Sequence, residues 1–302
     1  MAKTIAMPTS PNFVQSRFSL VRTVGQTISP YTGKQKTQEF DGVYWTAEVT
    51  LPPMKRTQAV EWQSFLTELN GTVNNFKFSD PDALTHRGTF SEYGFKLENR
   101  ANESSATLSF TASTNTIAGA SSTTYFNNVL VGDFIVVTGA TNEENNGTHK
   151  VVTKSNAYTI TVDPVAHNSL VDESNVSSCT IKCNVKGATG ITMIANANSH
   201  SGTVLKGSYL AVSDSSTVDA TGYTPVQYIF ATQDITETDN GGSAKNQYAI
   251  KIEPKLRATA SATTNVYVNP AKGKFRLLSN EVDWSADNIS NFGITFACVE
   301  VV

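Results

Sequence analysis

Apolar and polar residues alternate between Gly273 and Val302, and an alternation with a period of two is typical of half-buried β-strands. The first alternating set has four apolar members: Phe275, Leu277, Val282 and Trp284. The second set has another four: Phe292, Ile294, Phe296 and Cys298. We therefore predict a β-meander that runs to Val302 and holds this end of the chain in a sheet.

One segment has the period of a helix instead. From Arg56 to Leu69, apolar residues recur every three or four positions and form a single stripe: Ala59, Trp62, Phe65, Leu66 and Leu69. Asn70 and Gly71 supply a stop signal. We expect strands at about 39–51 and 73–79 on either side of this helix, and a turn at Asp80-Pro81-Asp82.

The pattern changes near Asn99, where Ser, Thr and Asn become frequent and aromatic residues sparse. Short strands separated by turn residues follow, at about 126–139, 145–152, 158–162 and 179–183. We interpret 100–186 as a small all-β module inserted into a discontinuous domain formed by 1–99 and 187–302. In the second part of that domain, strands are predicted near five segments: 191–195, 204–212, 225–231, 248–252 and 265–268.

Composition agrees with a mainly-β chain that carries one flanking helix. Of the 302 residues, 39% are hydrophobic and only 16% are charged. The net charge of −3 gives no electrostatic argument for binding nucleic acid. No apolar run is long enough to span a bilayer, and the first ten residues lack the apolar core of a signal peptide. We expect synthesis in a cytoplasm and no membrane insertion.

The three cysteines do not indicate a disulfide or a metal site. Cys179 and Cys183 would lie about 13 Å apart on one face of a strand that rises ~3.3 Å per residue, which is too far for a disulfide. No further Cys or His ligands are grouped near them. We expect small buried side chains, no metal and no cofactor.

Few residues suggest catalysis. The four histidines, His86, His149, His167 and His200, have no metal-ligand spacing. Asp80, Asp82, His86 and Arg87 cluster within eight residues and would be the candidates for a hydrolase, but an Asp-Pro-Asp segment favours a turn. Asp133 is also interpreted as a turn residue before a strand. Trp45, Trp62 and Trp284 are predicted to pack a core and not to line a sugar groove.

Three blocks of sequence carry a family resemblance. The first comprises 8–13 and 16–20, the second extends from Tyr44 through the helix to Asn75-Phe76, Asp80–Asp82 and Arg87-Gly88, and the third comprises 252–257, 274–285 and 296–300. In order and spacing, these blocks resemble the distal tail and minor tail proteins of long-tailed, siphovirus-like bacteriophages. Leu205–Tyr209 departs from the Gly-Asp strand start that this family usually has.

The resemblance implies a structural protein without enzymatic activity. It implies a tail-tube-like β-sandwich or barrel whose copies form a ring, usually a hexamer, at the tail tip of the virion. Such a ring joins the tail tube protein to the hub, baseplate or tail fibre proteins. Genomic DNA would pass through its lumen without sequence-specific binding, and mildly acidic residues there would help it slide.

Two alternatives to this structural role remain open. A carbohydrate-binding tail or adhesin component would recognise the host surface through the inserted module, with Tyr125, Phe126 and Tyr158 as the possible glycan contacts. A cell-wall hydrolase would need a convergent acid pair or a metal constellation.

Overall fold

The fold is described from a computed structural model. It describes the following residues: 2–91, 93–164, 169–195, 202–214, 223–238, 247–261, 263–288 and 291–302. His167, His200 and the turn predicted at 239–242 lie outside these residues.

The described residues form a mainly-β fold with one α-helix, as the composition predicts. The first elements in chain order are β1 (Thr4–Ile5), β2 (Gln15–Val21), β3 (Val24–Ile28), β4 (Gln35–Glu39), β5 (Tyr44–Thr50), β6 (Met54–Lys55), α1 (Arg56–Glu68) and β7 (Asn75–Phe78). The next are β8 (Gly94–Leu97), β9 (Asn102–Thr111), β10 (Thr116–Ala118), β11 (Phe134–Thr138), β12 (Gly147–Lys154), β13 (Thr159–Val162) and β14 (Glu173–Lys182). They are followed by β15 (Gly190–Ala195), β16 (Tyr209–Asp214), β17 (Pro225–Ala231), β18 (Thr236–Thr238), β19 (Gln247–Glu253) and β20 (Thr264–Tyr267). The last are β21 (Gly273–Leu277), β22 (Ser285–Ala286), β23 (Asn291–Gly293) and β24 (Thr295–Glu300). Short 3-10 turns lie at Pro81–Ala83, Ala112–Thr114 and Glu143–Asn145.

The chain divides into two compact units. The first comprises 1–84, 225–228 and 272–302, and the second comprises 85–224 and 229–271. The first unit contains a six-stranded sheet in the order β1-β7-β21-β24-β5-β2, a small sheet β22-β23-β6 and the separate hairpin β3-β4. The second unit contains a seven-stranded sheet and a closed barrel.

Helix α1 covers the six-stranded sheet of the first unit through its apolar stripe. Ala59, Trp62, Phe65, Leu66 and Leu69 are all buried, as the spacing predicts. The helix ends where Asn70 and Gly71 adopt positive φ angles of 50° and 63°. Beneath it, aromatic rings from the helix and the sheet pack edge to face. For example, the ring centroids of Phe65 and Phe76 lie 5.3 Å apart.

The predicted C-terminal meander is correct in part. β21 and β24 pair in the middle of the sheet, and Phe275, Ile294, Phe296 and Cys298 are buried. The strand predicted to include Val282 and Trp284 is wrong, because residues 278–284 form a loop and Trp284 is 46% exposed. An alternating pattern cannot separate a loop from a strand where no neighbouring strand supplies hydrogen bonds.

The seven-stranded sheet of the second unit has the order β15-β8-β20-β16-β17-β19-β18. β15 also pairs with β19, so six of these strands form a closed circuit of pairings. Their buried apolar side chains make one core that includes Phe95, Met193, Ile229 and Ile250.

The barrel closes in the order β10-β13-β12-β11-β14-β9, with β9 pairing back to β10. Its strands lie within the range 100–186 expected for an inserted module, and the barrel belongs to the same compact unit as the seven-stranded sheet. The assignment of 100–186 as a domain of its own stays a prediction. Ile135 and Val137 of β11 fill the barrel, whereas Val136 joins the core of the sheet. Both faces of β11 are therefore buried, which explains its continuous apolar sequence.

Candidate assembly surface and barrel surface

The hairpin β3-β4 is regular but uncovered. Five residue pairs join its strands, from Val24↔Glu39 to Ile28↔Gln35, and Gln26 Nε2 donates to Gln35 Oε1 at 3.1 Å. The connecting turn is closed by a hydrogen bond from Gly33 N to Ser29 O, with Gly33 at a φ of 65°. At the base, Phe40 N donates to Thr23 O at 2.9 Å, which holds the two ends of the hairpin together.

Exposure shows that the described part of the chain covers neither face of this hairpin. Every residue from Pro30 to Gly42 is exposed, and Val24 and Ile28 on the first strand are 52% and 55% exposed. Tyr31 in the turn is 96% exposed. A two-stranded hairpin without a packing partner is marginally stable in water. A hairpin with exposed Val, Ile and Tyr side chains therefore suggests a surface that another molecule covers.

A cleft of about 320 Å³ lies beside β21 and β24 in the same unit. Its base is apolar, because it includes the buried side chains of Leu277 and Phe296. Leu278, which is 54% exposed, and Val282 line it further, together with the exposed carboxylates Glu281 and Asp283. The cleft thus combines an apolar base with negative charge.

A polar cluster lies where the chain enters and leaves the barrel, and we call it the barrel junction (Glu98, Arg100, Asp133, Asn184 and Thr192). All its members except Glu98 are buried. Arg100 pairs with the fully buried Asp133 and with Glu98, at 2.9 Å from Nε to Oε2. It also donates from Nη2 to the carbonyl oxygen of Met193 at 2.7 Å. Asn184 donates to the carbonyl oxygens of Glu98 and Thr192, both at 2.9 Å.

The junction fixes the barrel against β15 through close packing as well. A Cβ atom on Gly190 would lie 2.2 Å from Cγ of Phe134, so only glycine allows this approach. Asp133 was predicted as a turn residue, and its carboxylate does accept from Leu130 N at 2.9 Å. Its ion pair with Arg100 was not foreseen, because Arg100 is 33 residues away in sequence. Burial raises the pKa of Asp133 to about 6, although Arg100 opposes the shift.

The candidate glycan contacts have different positions in the barrel. Phe126 is completely buried in the barrel core, so it is corrected from a surface contact to a packing residue. Tyr125 and Tyr158 are half-buried, and both lie close to Gly119. A Cβ atom on Gly119 would lie 2.7 Å from the Tyr125 ring, and Gly119 N donates to Tyr158 O at 2.8 Å. Glycan contact at these two tyrosines stays a prediction.

Asp80, His86 and Arg87 of the predicted cluster each contact a residue of their own compact unit. Asp80 caps the 3-10 turn by accepting from Asp82 N at 3.2 Å, which confirms the predicted turn. His86 lies edge-on to Phe90, and burial lowers its pKa. Arg87 is exposed and donates to the Lys206 carbonyl oxygen at 3.1 Å.

The remaining candidates are packing residues. Cys179, Cys183 and Cys298 are free and buried, and burial raises the pKa of Cys183 to about 12. Trp45 and Trp62 are buried as predicted, at 6% and 1% exposure. Within the described ranges, no group of three or more His, Cys, Asp or Glu side chains is arranged to hold a metal ion. The same residues contain no helix of the length and apolar character needed to cross a membrane.

Comparison with known proteins adds no family assignment. No protein-family model matches the chain, and no curated protein matches it significantly.

Proposed function

We propose that this chain is a structural phage tail protein of the distal tail or minor tail type, which forms a ring at the tail tip of the virion. The ring joins the tail tube to the hub, baseplate or tail fibre proteins and leaves a lumen through which genomic DNA passes. The sequence resemblance supplies the family in this proposal, and the structure supplies a reason for self-assembly.

The observation that carries self-assembly is the exposed hairpin β3-β4. It presents Val24, Ile28 and Tyr31 to solvent at 52%, 55% and 96% exposure. Such a hairpin has little stability by itself and gains stability when its apolar side chains are buried against a neighbouring molecule. Strand β2 supports the same conclusion, because it lies at an edge of the six-stranded sheet, where a strand of another molecule can add.

The closed barrel fits a peripheral role in such a ring. Each of its six strands already has two neighbours, so the barrel offers no open strand edge for assembly. A ring packed between tube and hub has most room for an added barrel at its outer rim. We therefore expect residues 100–186 outside the lumen, and an assembly with the barrel inside the lumen would overturn this placement.

Light scattering over a concentration series, with negative-stain images of the same fractions, tests the proposed ring. We expect a mass that rises with concentration to a plateau near six copies, and closed rings in the images. A constant monomer mass with no rings, up to the highest soluble concentration, would contradict self-assembly of the chain.

A second candidate function is carbohydrate binding by the barrel. The specific observation is that Tyr125 and Tyr158 both lie close to Gly119 and are both only half-buried. Partly exposed aromatic residues that lie near each other are a common basis for contact with a ligand. A glycan array probed with the full chain tests this, with Tyr125→Ala and Tyr158→Ala as variants. Tyr93→Ala is the matched control, since Tyr93 is 45% exposed but lies outside the barrel and outside the hairpin. Binding lost only in the barrel variants would support a glycan site.

A further inference from the structure

Two surfaces of the first unit are complementary in charge and in polarity. One is the hairpin tip, defined by Tyr31, Lys34 and Lys36. The other is the C-terminal cleft, defined by Leu277, Leu278, Glu281, Val282, Asp283 and Phe296. The tip carries an exposed aromatic ring and two cations, and the cleft carries an apolar base and two anions.

The tip is available to another molecule. Tyr31 is 96% exposed, so it makes almost no contact with its own chain. Lys34 and Lys36 are exposed and follow Tyr31 closely in sequence, so the two ammonium groups and the phenol ring leave the hairpin at the same end. An aromatic residue next to cations is the type of side-chain group that is enriched in protein interfaces.

The cleft matches this tip, because it has apolar surface for the tyrosine ring and two carboxylates for the two lysines. Leu278, which is 54% exposed, and the half-buried Val282 provide apolar contact for a ring, whereas Leu277 and Phe296 line the cleft as buried residues. Glu281 and Asp283 lie two residues apart and are exposed, as are Lys34 and Lys36. Complementary charges at such a contact steer encounter and suppress wrong partners.

We propose that the hairpin tip of one copy binds in the C-terminal cleft of the next copy. This inference rests on the proposed function, because it specifies the contact through which the ring assembles. The tip and the cleft are different surfaces, so the contact is head-to-tail and every copy both gives a tip and receives one. A head-to-tail contact generates a closed ring when its rotation closes.

Charge reversal on each surface tests the contact. The tip variant carries Lys34→Glu and Lys36→Glu, and the cleft variant carries Glu281→Lys and Asp283→Lys. In each variant alone, the tip and the cleft carry charges of the same sign and repel each other. We therefore expect self-association to weaken by about tenfold or more. In an equimolar mixture every tip meets a cleft of opposite charge, and we expect alternating assemblies of wild-type mass.

The matched control is Glu143→Lys with Glu144→Lys, which reverses two exposed carboxylates in the barrel. We expect this variant to associate as wild type does. All the substituted side chains are exposed, so unchanged thermal unfolding would show that each variant folds.

The outcomes separate this inference from the function on which it rests. Weak association of each variant alone, restored by mixing, supports the hairpin-to-cleft contact. Wild-type association by either variant alone, or a mixture that does not recover, overturns the contact while ring formation by the wild type still stands. A wild type that never associates overturns the proposed function first.

Discussion

The barrel and the hairpin β3-β4 are both antiparallel β-structures, but they differ in how many neighbours each strand has and in how much apolar surface is buried. The barrel gives every strand two neighbours and buries an apolar core that includes Leu108, Phe110 and Ile160. The hairpin has one pairing and no buried residue from Val24 to Glu39. The barrel strands therefore have all their neighbours within a single chain, whereas our proposal assigns the hairpin to a contact with a second molecule.

The largest expected effect comes from breaking the buried ion pair at the barrel junction. Arg100→Gln leaves the Asp133 charge buried without its partner, so we expect a loss of about 3–5 kcal/mol in the free energy of unfolding. Arg22→Gln is the matched control, because Arg22 pairs with Glu39 of the hairpin at 3.8 Å and both side chains are more than 40% exposed. There we expect less than about 1 kcal/mol. Urea unfolding measures both, and equal losses would contradict the comparison.

One substitution made in both regions should have opposite consequences. Ile160→Ala removes a fully buried side chain from the barrel, and we expect it to cost about 2–5 kcal/mol of stability. Ile28→Ala on the hairpin, where the side chain is 55% exposed, should cost about 0.5 kcal/mol or less. The effect on self-association should be the opposite: we expect Ile28→Ala to weaken it and Ile160→Ala to leave it unchanged. Chemical unfolding and light scattering on the same samples measure both quantities.

The free energy of unfolding should depend on pH because Asp133 of the barrel junction has a raised pKa. Burial raises its pKa to about 6 in the fold from an ordinary value of 3.8, so the folded state holds more protons than the unfolded chain between these values. The contribution of Asp133 to stability is therefore full below about pH 4 and is lost as the pH rises through about 6. Asp133→Asn should remove this slope.

Glu173 of β14 gives a control of opposite sign for that experiment. Burial alone would raise its pKa, but hydrogen bonds from Asn145, Asn142 and Thr141 outweigh this and hold the pKa below its ordinary value. Its contribution is present above the unfolded pKa and is lost as the pH falls. Urea titrations from pH 3 to pH 7 should therefore give slopes of opposite sign for Asp133→Asn and Glu173→Gln, each relative to wild type. Slopes of the same sign would contradict these assignments.

The smallest effect on stability is expected at the two tyrosines of the barrel surface. Tyr125→Phe removes a hydroxyl that accepts from Thr107 N at 3.4 Å, which is a long hydrogen bond. We expect a change of about 0.5 kcal/mol or less in unfolding and no change in association. A loss of ring assembly in Tyr125→Phe would show that the barrel takes part in the contact between copies, which would contradict assembly through the hairpin alone.

Elements that bury side chains were predictable from the sequence. The stripe on α1 and the apolar run of β11 both appear as periodic or continuous apolar positions, and the strand predicted at 225–231 matches β17 at both ends. Burial produces these patterns, because a side chain that packs in a core must be apolar and must recur with the period of its element.

The hairpin was not predictable in this way. Its two strands, Val24–Ile28 and Gln35–Glu39, are polar or isolated apolar residues on both faces, so they lack the alternation that marks half-buried strands. β9 was missed for a related reason, because its first half is polar and exposed, and only Ala106, Leu108 and Phe110 point into the barrel.

The barrel junction depends on distance in space. Nothing in the local sequence joins Arg100 to Asp133, because these two residues meet only after folding. Conversely, Trp284 has the sequence pattern of a core residue and is 46% exposed, because the loop that contains it does not pair with a strand. A local sequence pattern indicates which side chains of an element are buried, but it does not identify the elements that pack against it.

The most direct measurement is sedimentation velocity on a chain from which the hairpin has been removed. Residues 24–39 would be replaced by a short Gly-Ser linker, which can join Thr23 to Phe40 because their backbones already form a 2.9 Å hydrogen bond. We predict that the wild type sediments as a ring-sized species and that the variant stays monomeric at every concentration, with unchanged unfolding of its remaining structure. A variant that still forms the wild-type species would contradict assembly through the hairpin.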